Sequence, residues 1–271
     1  MVLEEFCDGL LIQGLEKITI DGYKRVLSKF IKEMNTEKPK QKQAENYLLE
    51  IRKKNYSYSH IKNTSLAVER YQKFINRPIT FIRPRKPQTL PTIEILTEGE
   101  IARMLAACKN SREMAAIALL AYCGLRNKEV CQLRTRNIDL DNNLIQIIGG
   151  KFKKDRVVPI SKEGSKIIIQ YLREYPRNSP VFTTLQGNRK YNGWALRKLV
   201  KKVGRNAGIK KRVYPHLLRH GFCSHLLERG ANIIAVQQFM GHSNIQTTMR
   251  YTHFSSKKLQ QEYHYYIPSY Q

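Results

Sequence analysis

One stretch limits every fold this chain can adopt: residues 78–92, PITFIRPRKPQTLPT. Pro78, Pro84, Pro87 and Pro91 each fix φ and remove a backbone donor, so neither a helix nor a central strand can run through it. Cores must form on either side. The sequence therefore predicts one domain over 1–77, an extended linker over 78–92 and a second domain over 93–271. Arg83, Arg85 and Lys86 stand between the prolines, so the linker is expected to cross a polyanion as well as to join two bodies.

Upstream of the linker the apolar period is helical. Leu10, Leu11, Ile18, Tyr23, Val26, Leu27, Phe30 and Ile31 form one series; Tyr47, Leu48 and Ile51 resume it; Ile61, Leu66, Val68, Tyr71, Phe74 and Ile75 close it. This reads as a four-helix domain with loops near Thr36–Lys42 and Lys54–Ser59. Tyr56, Tyr58, Ser59, His60 and Lys62 gather at a helix start, where backbone N–H groups and polar rings suit phosphate. An ordinary capped helix with solvated tyrosines would carry the same residues.

The second domain opens on a capping box, Thr97 with Glu100. Ser111 is expected to cap the next helix, MAAIALLAYC, which is apolar nearly all round and so belongs in a core. The period then changes to that of strands. Leu144–Ile148 and Arg156–Ile160 flank a turn of Gly149, Gly150, Lys151, Phe152, Lys153, Lys154 and Asp155, which reads as an antiparallel pair with a cationic tip. Helices are expected near 162–174, 192–206, 215–229 and 232–240, with Gly230 and Gly241 at C-caps and Asn232 and Asn244 at N-caps. The fold class is thus mainly α with a small antiparallel sheet: a helical N-terminal domain and a mixed α/β second domain.

Charge narrows the partners. The chain has 48 Lys and Arg against 22 Asp and Glu, a formal +26; residues 1–87 contribute +8 and residues 88–271 +18. Such an excess on a folded, tyrosine-rich chain points to nucleic acid. No basic amphipathic anchor or lipidation motif marks a membrane partner, and no signal peptide or spanning segment is visible. The five cysteines include no C-x-x-C pair, and Cys108, Cys123 and Cys131 lie in apolar helical patterns. They read as reduced thiols of an intracellular, cytoplasmic protein.

The chemistry gathers in residues 214–254. His216 and Arg219 are three apart on one helix and share a face, which leaves His220 pointing elsewhere as a structural residue. A guanidinium can grip two phosphate oxygens, and a neighbouring histidine can move a proton near neutral pH. His242 follows Gly241 past a helix end, and Tyr251 follows nine residues later. A tyrosine attacks a phosphodiester only where its proton can leave and the phosphate charge is neutralised. Arg126 begins a helix directly after the apolar one, with Glu129 three residues on; this is an anion site with its support, or a buried ion pair. The histidines show no metal-ligand spacing and sit among guanidiniums, so no metal and no cofactor is expected.

These motifs together resemble the tyrosine recombinase (phage integrase) family, most closely its Xer-type members and archaeal integrases. The resemblance is carried by Gly124-Leu125-Arg126-x-x-Glu129, by Gly150-Lys151…Arg156-Val157-Val158-Pro159-Ile160, by His216-x-x-Arg219-His220, by Gly241-His242-Ser243 and by Thr247-Thr248-x-x-Tyr251-Thr252-His253. It implies a SAM-like core-binding domain before the linker and a catalytic domain after it. It also implies a recombinase that breaks and rejoins double-stranded DNA at a specific site through a 3′-phosphotyrosyl link and a Holliday junction, without ATP or metal.

By the same resemblance Tyr251 is the nucleophile, Arg126 and Arg219 clamp the scissile phosphate, and His216 and His242 hydrogen-bond and move protons. Lys151 is the general acid and Glu129 a support behind the arginines. Similar hairpins often have glycine after the lysine; Phe152 stands here, so Lys153 and Lys154 remain rivals for the acid and otherwise candidates for DNA contact. The family also implies a dimer on one site, a tetramer in synapsis and exchange of the C-terminal tail between protomers. Chromosome dimer resolution, integration and inversion stay equally open. A site-independent nicking-closing enzyme of topoisomerase IB type would use the same side chains, and a non-catalytic DNA-binding regulator would need only the basic surface.

Overall fold

The structure, a computed structural model, describes residues 2–54, 56–82, 94–149, 155–176, 180–183, 191–242, 244–249 and 251. The chain divides into two compact units, Met1–Leu90 and Pro91–Gln271.

The first unit holds four helices: α1 (Val2–Ile12), α2 (Lys17–Met34), α3 (Gln41–Lys53) and α4 (Tyr58–Phe74). Their apolar faces meet in a core of Leu27, Phe30, Leu48, Val68 and Tyr71, among others. Gly14, at φ +80°, follows the end of α1 and interrupts the apolar run that the sequence carries from Leu11 to Ile18. Those two side chains are 58% and 76% exposed and lie outside the core. Proline keeps 78–82 out of helix and strand, yet Ile79 is buried and Phe81 packs on the same core. The Phe81 N–H donates to Glu69 Oε1 at 3.1 Å. The first core therefore continues past residue 77. Arg83, Arg85 and Lys86 lie outside the described residues.

α4 is capped by Ser57, whose hydroxyl accepts from the His60 N–H at 3.3 Å. The Tyr56 and His60 rings lie 4.5 Å apart. Tyr56, His60 and Lys62 are exposed and Tyr58 is half-buried.

The second unit is organised around α6 (Ser111–Ala121), which touches α5 (Glu98–Ala106), α7 (Asn127–Gln132), α8 (Lys162–Glu174), α9 (Gly193–Asn206) and α10 (Pro215–Glu228). Every side chain from Ala115 to Ala121 is buried, which is why the segment carries no polar face. Burying a leucine such as Leu119 or Leu120 is worth about 1.5–3 kcal/mol. The α6 cap is Asn110, whose side chain accepts from the Glu113 N–H at 2.9 Å. The expected cap, Ser111, lies one residue inside and bonds Glu174 instead. The capping box of Thr97 and Glu100 is present.

Three antiparallel strands stand in the order β1 (Ile138–Asp139), β2 (Leu144–Ile147) and β3 (Arg156–Pro159). Ile145 pairs with Val158 on the buried face and Gln146 with Val157 on the outer one. The Gly149 N–H donates to Asp155 Oδ1 at 2.8 Å across the base of the hairpin. Lys151, Lys153 and Lys154 lie outside the described residues.

α11 (Ile233–Met240) and α12 (Ile245–Met249) pack together beside α10. Asn232 and Asn244 accept local N–H groups as N-caps do. All five cysteines are free thiols, and no described helix is long and apolar enough to cross a membrane.

Candidate active site

The end of α11 draws three arginines together. The last carbonyls of a helix lack intrahelical donors and carry the negative end of its dipole. Here Phe239 O accepts from Arg156 Nε at 2.9 Å, Met240 O accepts from Arg219 Nη2, and Gly241 O accepts from Arg126 Nη2 at 2.5 Å. Gly241 closes the helix at φ +59°, a left-handed conformation that costs glycine little.

A second glycine shapes the other side. Gly124, at φ +58°, turns the chain out of the α6 region toward Arg126, and its carbonyl accepts from Arg219 Nη1. A Cβ there would lie 2.4 Å from Phe222 Cδ1, so a side chain has no room. Arg219, from α10, is only 3% exposed. Burial first, and then the nearby charge of Arg126, lower its pKa to about 9; it still carries its charge at neutral pH.

Glu129 sits between two of the arginines. Its backbone partner is the Arg126 N–H at 2.7 Å, and Arg126 Nη1 reaches Oε1 at 2.8 Å. Arg156, on β3, takes both oxygens, Nη1 to Oε1 at 2.7 Å and Nη2 to Oε2 at 2.8 Å. Burial alone would raise this carboxyl. The Arg156 fork and the Arg126 N–H outweigh it and hold the group at about 2. Of the two sequence alternatives for Arg126 and Glu129, the ion pair is present, and Arg126 keeps part of its surface open, with 19% of its side chain exposed.

The histidines flank the guanidiniums. His216 lies in the first turn of α10 with an exposed face; partial burial, then Arg219 and Arg126, lower its pKa. His242 is held by Gln237, which donates to its carbonyl at 3.0 Å, and by Thr248 Oγ1, 2.9 Å from Nδ1. Burial, then Arg219 and Arg126, push His242 down to about 4. Both rings are therefore neutral near pH 7 in this state.

Tyr251 is buried in a cluster with Cys223, Leu227, Val236 and Met240. Its phenol oxygen shares a hydrogen bond with His220 Nδ1, and the two rings are 5.4 Å apart. His220 in turn lies 6.2 Å from His216, ring to ring. The expectation that His220 points away fails for a geometric reason: it is four residues from His216, which on a helix is the same face.

A model of the phage integrase family matches residues 94–258, and a tyrosine recombinase XerA from Pyrococcus horikoshii is 35% identical over 266 residues, covering 96% of this chain and 91% of the relative. The chain belongs to the phage integrase family. A tyrosine recombinase from Pseudothermotoga lettingae is 30% identical over 272 residues, with 93% of each chain covered. Among solved structures, a crystal structure of XerA recombinase matches with a TM-score of 0.58 at 29% identity over 99% of both chains. The Tn1549 transposon integrase, in complex with a circular intermediate DNA, matches with a TM-score of 0.76 at 20% identity, a likeness of fold that covers 98% of this chain and 99% of that one.

As a tyrosine recombinase the chain brings Arg126, Arg219, His216, His242, Glu129 and Tyr251 into one neighbourhood from α7, α10 and the segment after α11. Lys151, Lys153 and Lys154 fall outside the described residues. Two participants were not assigned from the sequence: His220, legible from its four-residue spacing, and Arg156, whose partners are a backbone carbonyl and a carboxylate, both distant in the chain. A third feature is a cleft of about 760 Å³ whose lining includes Arg197, Lys201, Arg205, Lys210, Arg212 and Tyr214, the N-cap of α10. Among the described residues, no three His, Cys, Asp or Glu side chains gather as a metal site requires.

Proposed function

We propose that this tyrosine recombinase cleaves and rejoins DNA at a specific site, with Tyr251 as the nucleophile. The phenol passes its proton to the hydrogen-bonded His220 Nδ1, and its oxygen attacks the scissile phosphorus. The Tyr251–phosphorus bond forms, the bond to the 5′-oxygen breaks, and that oxygen leaves as a hydroxyl after taking up a proton. Lys151 gives that proton, with Lys153 and Lys154 the rivals to be tested. Rejoining reverses these steps with a 5′-hydroxyl from another strand, so the phosphodiester's free energy is kept and ATP is not consumed. Exchange of strand pairs in succession passes through a Holliday junction.

The observation that carries this reading is the convergence of Arg126 and Arg219 on adjacent carbonyls, with His242 next in the chain and His216 one helical turn before Arg219. Two guanidiniums can each offer further N–H groups to the non-bridging oxygens and stabilise charge as it develops. The Thr248 contact occupies His242 Nδ1, so a phosphate would meet Nε2. A bound phosphate would also offset the arginine charges that depress both histidines, and so raise their proton affinity as the reaction begins.

Tyr56, Tyr58, His60 and Lys62 in the first unit, and Lys201 and Arg205 along the cleft in the second, would bind the DNA backbone. Arg83, Arg85 and Lys86 would follow it between the units. The working assembly would be a dimer on each site and a tetramer in synapsis, joined by the segment after Tyr251. Support for a docking role comes from Ile234, Ile245 and Met249, which leave apolar surface exposed on α11 and α12.

The test is trapping. Nicked duplexes with a randomised centre are incubated with the protein and denatured, and any covalent adduct is mapped by mass spectrometry. An adduct on Tyr251, lost in Tyr251→Phe, is expected. An adduct elsewhere, or none from the wild type, overturns the reading.

A further inference from the structure

We propose that Arg156 is a positioning residue for strand cleavage: it neutralises Glu129 so that Arg126 stays available to the scissile phosphate, and it ties the base of the lysine hairpin to the end of α11. The proposal rests on the reading of Arg126 as a phosphate-binding residue.

The Glu129 side chain is 8% exposed and ionised. If Arg126 were its only counter-ion, the two would form a closed pair out of water, and a phosphate would have to break that pair to reach the guanidinium. A buried charge stripped of its partner is costly, so the pair would resist. Arg156 removes this competition. Its planar fork covers both carboxylate oxygens in the bidentate manner that suits a guanidinium best, while Arg126 keeps one side-chain contact to Oε1. Three guanidiniums in the site, two of them on the one carboxylate, leave a surplus of positive charge, which suits a phosphodiester that gains a second negative charge in its transition state.

The mechanical role follows from connectivity. Arg156 opens β3, directly after Asp155, which accepts the Gly149 N–H across the hairpin base. Its Nε donates to Phe239 O, one residue from the carbonyl that holds Arg219. One side chain therefore fixes the hairpin base against both α7 and α11. The path is narrow: a Cβ on Gly241 would lie 2.9 Å from Arg156 Cδ.

The experiment uses the full chain and the nicked duplex recovered by trapping. Adduct rate at saturating DNA and DNA affinity are measured separately for R156Q, R156K, E129Q and the double variant R156Q/E129Q, with a thermal melt of each. R156Q should slow the adduct step roughly 10- to 100-fold, the scale of a small misplacement of catalytic groups, with little change in affinity. R156K, which keeps the charge and loses the fork, should fall between R156Q and wild type. Adding E129Q to R156Q should recover rate, because no carboxylate remains to capture Arg126.

A purely structural pair predicts the reverse: the double variant as slow as R156Q or slower, with rates that follow the fraction folded in the melts. That result, or R156Q at the wild-type rate, overturns the proposal. Failure of the underlying reading looks different: R126Q would cleave as fast as wild type, or the adduct would survive Tyr251→Phe, and both inferences would then be withdrawn.

Discussion

Glu129→Gln tests the electrostatic account of the site through the pH dependence of stability. The carboxyl is held at about 2 against an ordinary value of 4.5. Because the folded pKa is the depressed one, its stabilisation is fully present above 4.5 and is lost as pH falls toward 2. Each tenfold change in proton affinity is about 1.4 kcal/mol, so the full contribution is about 3 kcal/mol, of which about 2 kcal/mol is gone by pH 3. Glutamine keeps an oxygen for the Arg126 N–H but has no proton to gain. Urea unfolding at a series of pH values, followed by circular dichroism and by Trp194, the chain's one tryptophan and a residue of the second unit, gives the comparison. Wild type should exceed E129Q in stability at pH 6, and that margin should shrink by about 2 kcal/mol by pH 3. Other depressed carboxyls, such as Glu100 and Glu113, titrate in both proteins and cancel in the difference. A margin that stays constant across the range would refute the claim that the two arginines hold Glu129 as an anion.

Three further outcomes follow from the same geometry. Gly124→Ala should destabilise the second unit by about 2–4 kcal/mol, from left-handed strain and the collision with Phe222; in a Phe222→Ala background, unfolding experiments should return only the strain, about 1–2 kcal/mol. His220→Leu removes the partner of the Tyr251 phenol and should slow adduct formation by up to about a hundredfold, whereas His220→Asn, which keeps an acceptor near the Nδ1 position, should lose less. Lys201→Ala and Arg205→Ala should each lower the slope of log affinity for DNA against log salt by about 1 if each meets a phosphate, and titrations at several salt concentrations that leave the slope unchanged would remove the cleft from the DNA interface.

Much of the second unit was legible because its local signals agree. The apolar run of α6, the period change at Leu144, the asparagine caps and the glycine at 241 each have a mechanism that acts over a few residues. Alternation then puts Ile145 and Val158 on the same buried face, where they pair. What escaped was of two kinds. Some signals were too small: β1 has two residues and no periodicity to show, and Asn110 and Ser111 are both good caps standing side by side. Ile79 escaped because proline forbids regular structure around it but does not prevent burial. Other features have no sequence signature at all. The end of α11 holds Arg126, Arg156 and Arg219 through carbonyls, a group present at every residue, so only the folded chain reveals which ones receive a guanidinium. His220 lies between these cases, since residues three and four after His216 both share its face and the spacing alone does not rank them.

The α11 terminus gives this site an unusual mutational profile. Its three acceptors are main-chain oxygens of consecutive residues, Phe239, Met240 and Gly241. Replacing the half-buried side chain of Phe239 leaves every acceptor in place, and the site is robust to such changes. Removing one residue from within α11 is another matter: it turns the carbonyls by about 100° around the helix axis and moves them by about 1.5 Å along it. All three guanidiniums would lose register in the same event. Substitution and deletion should therefore score far apart along this helix, and the length of α11, more than its composition, is the quantity that the arginine cluster is sensitive to.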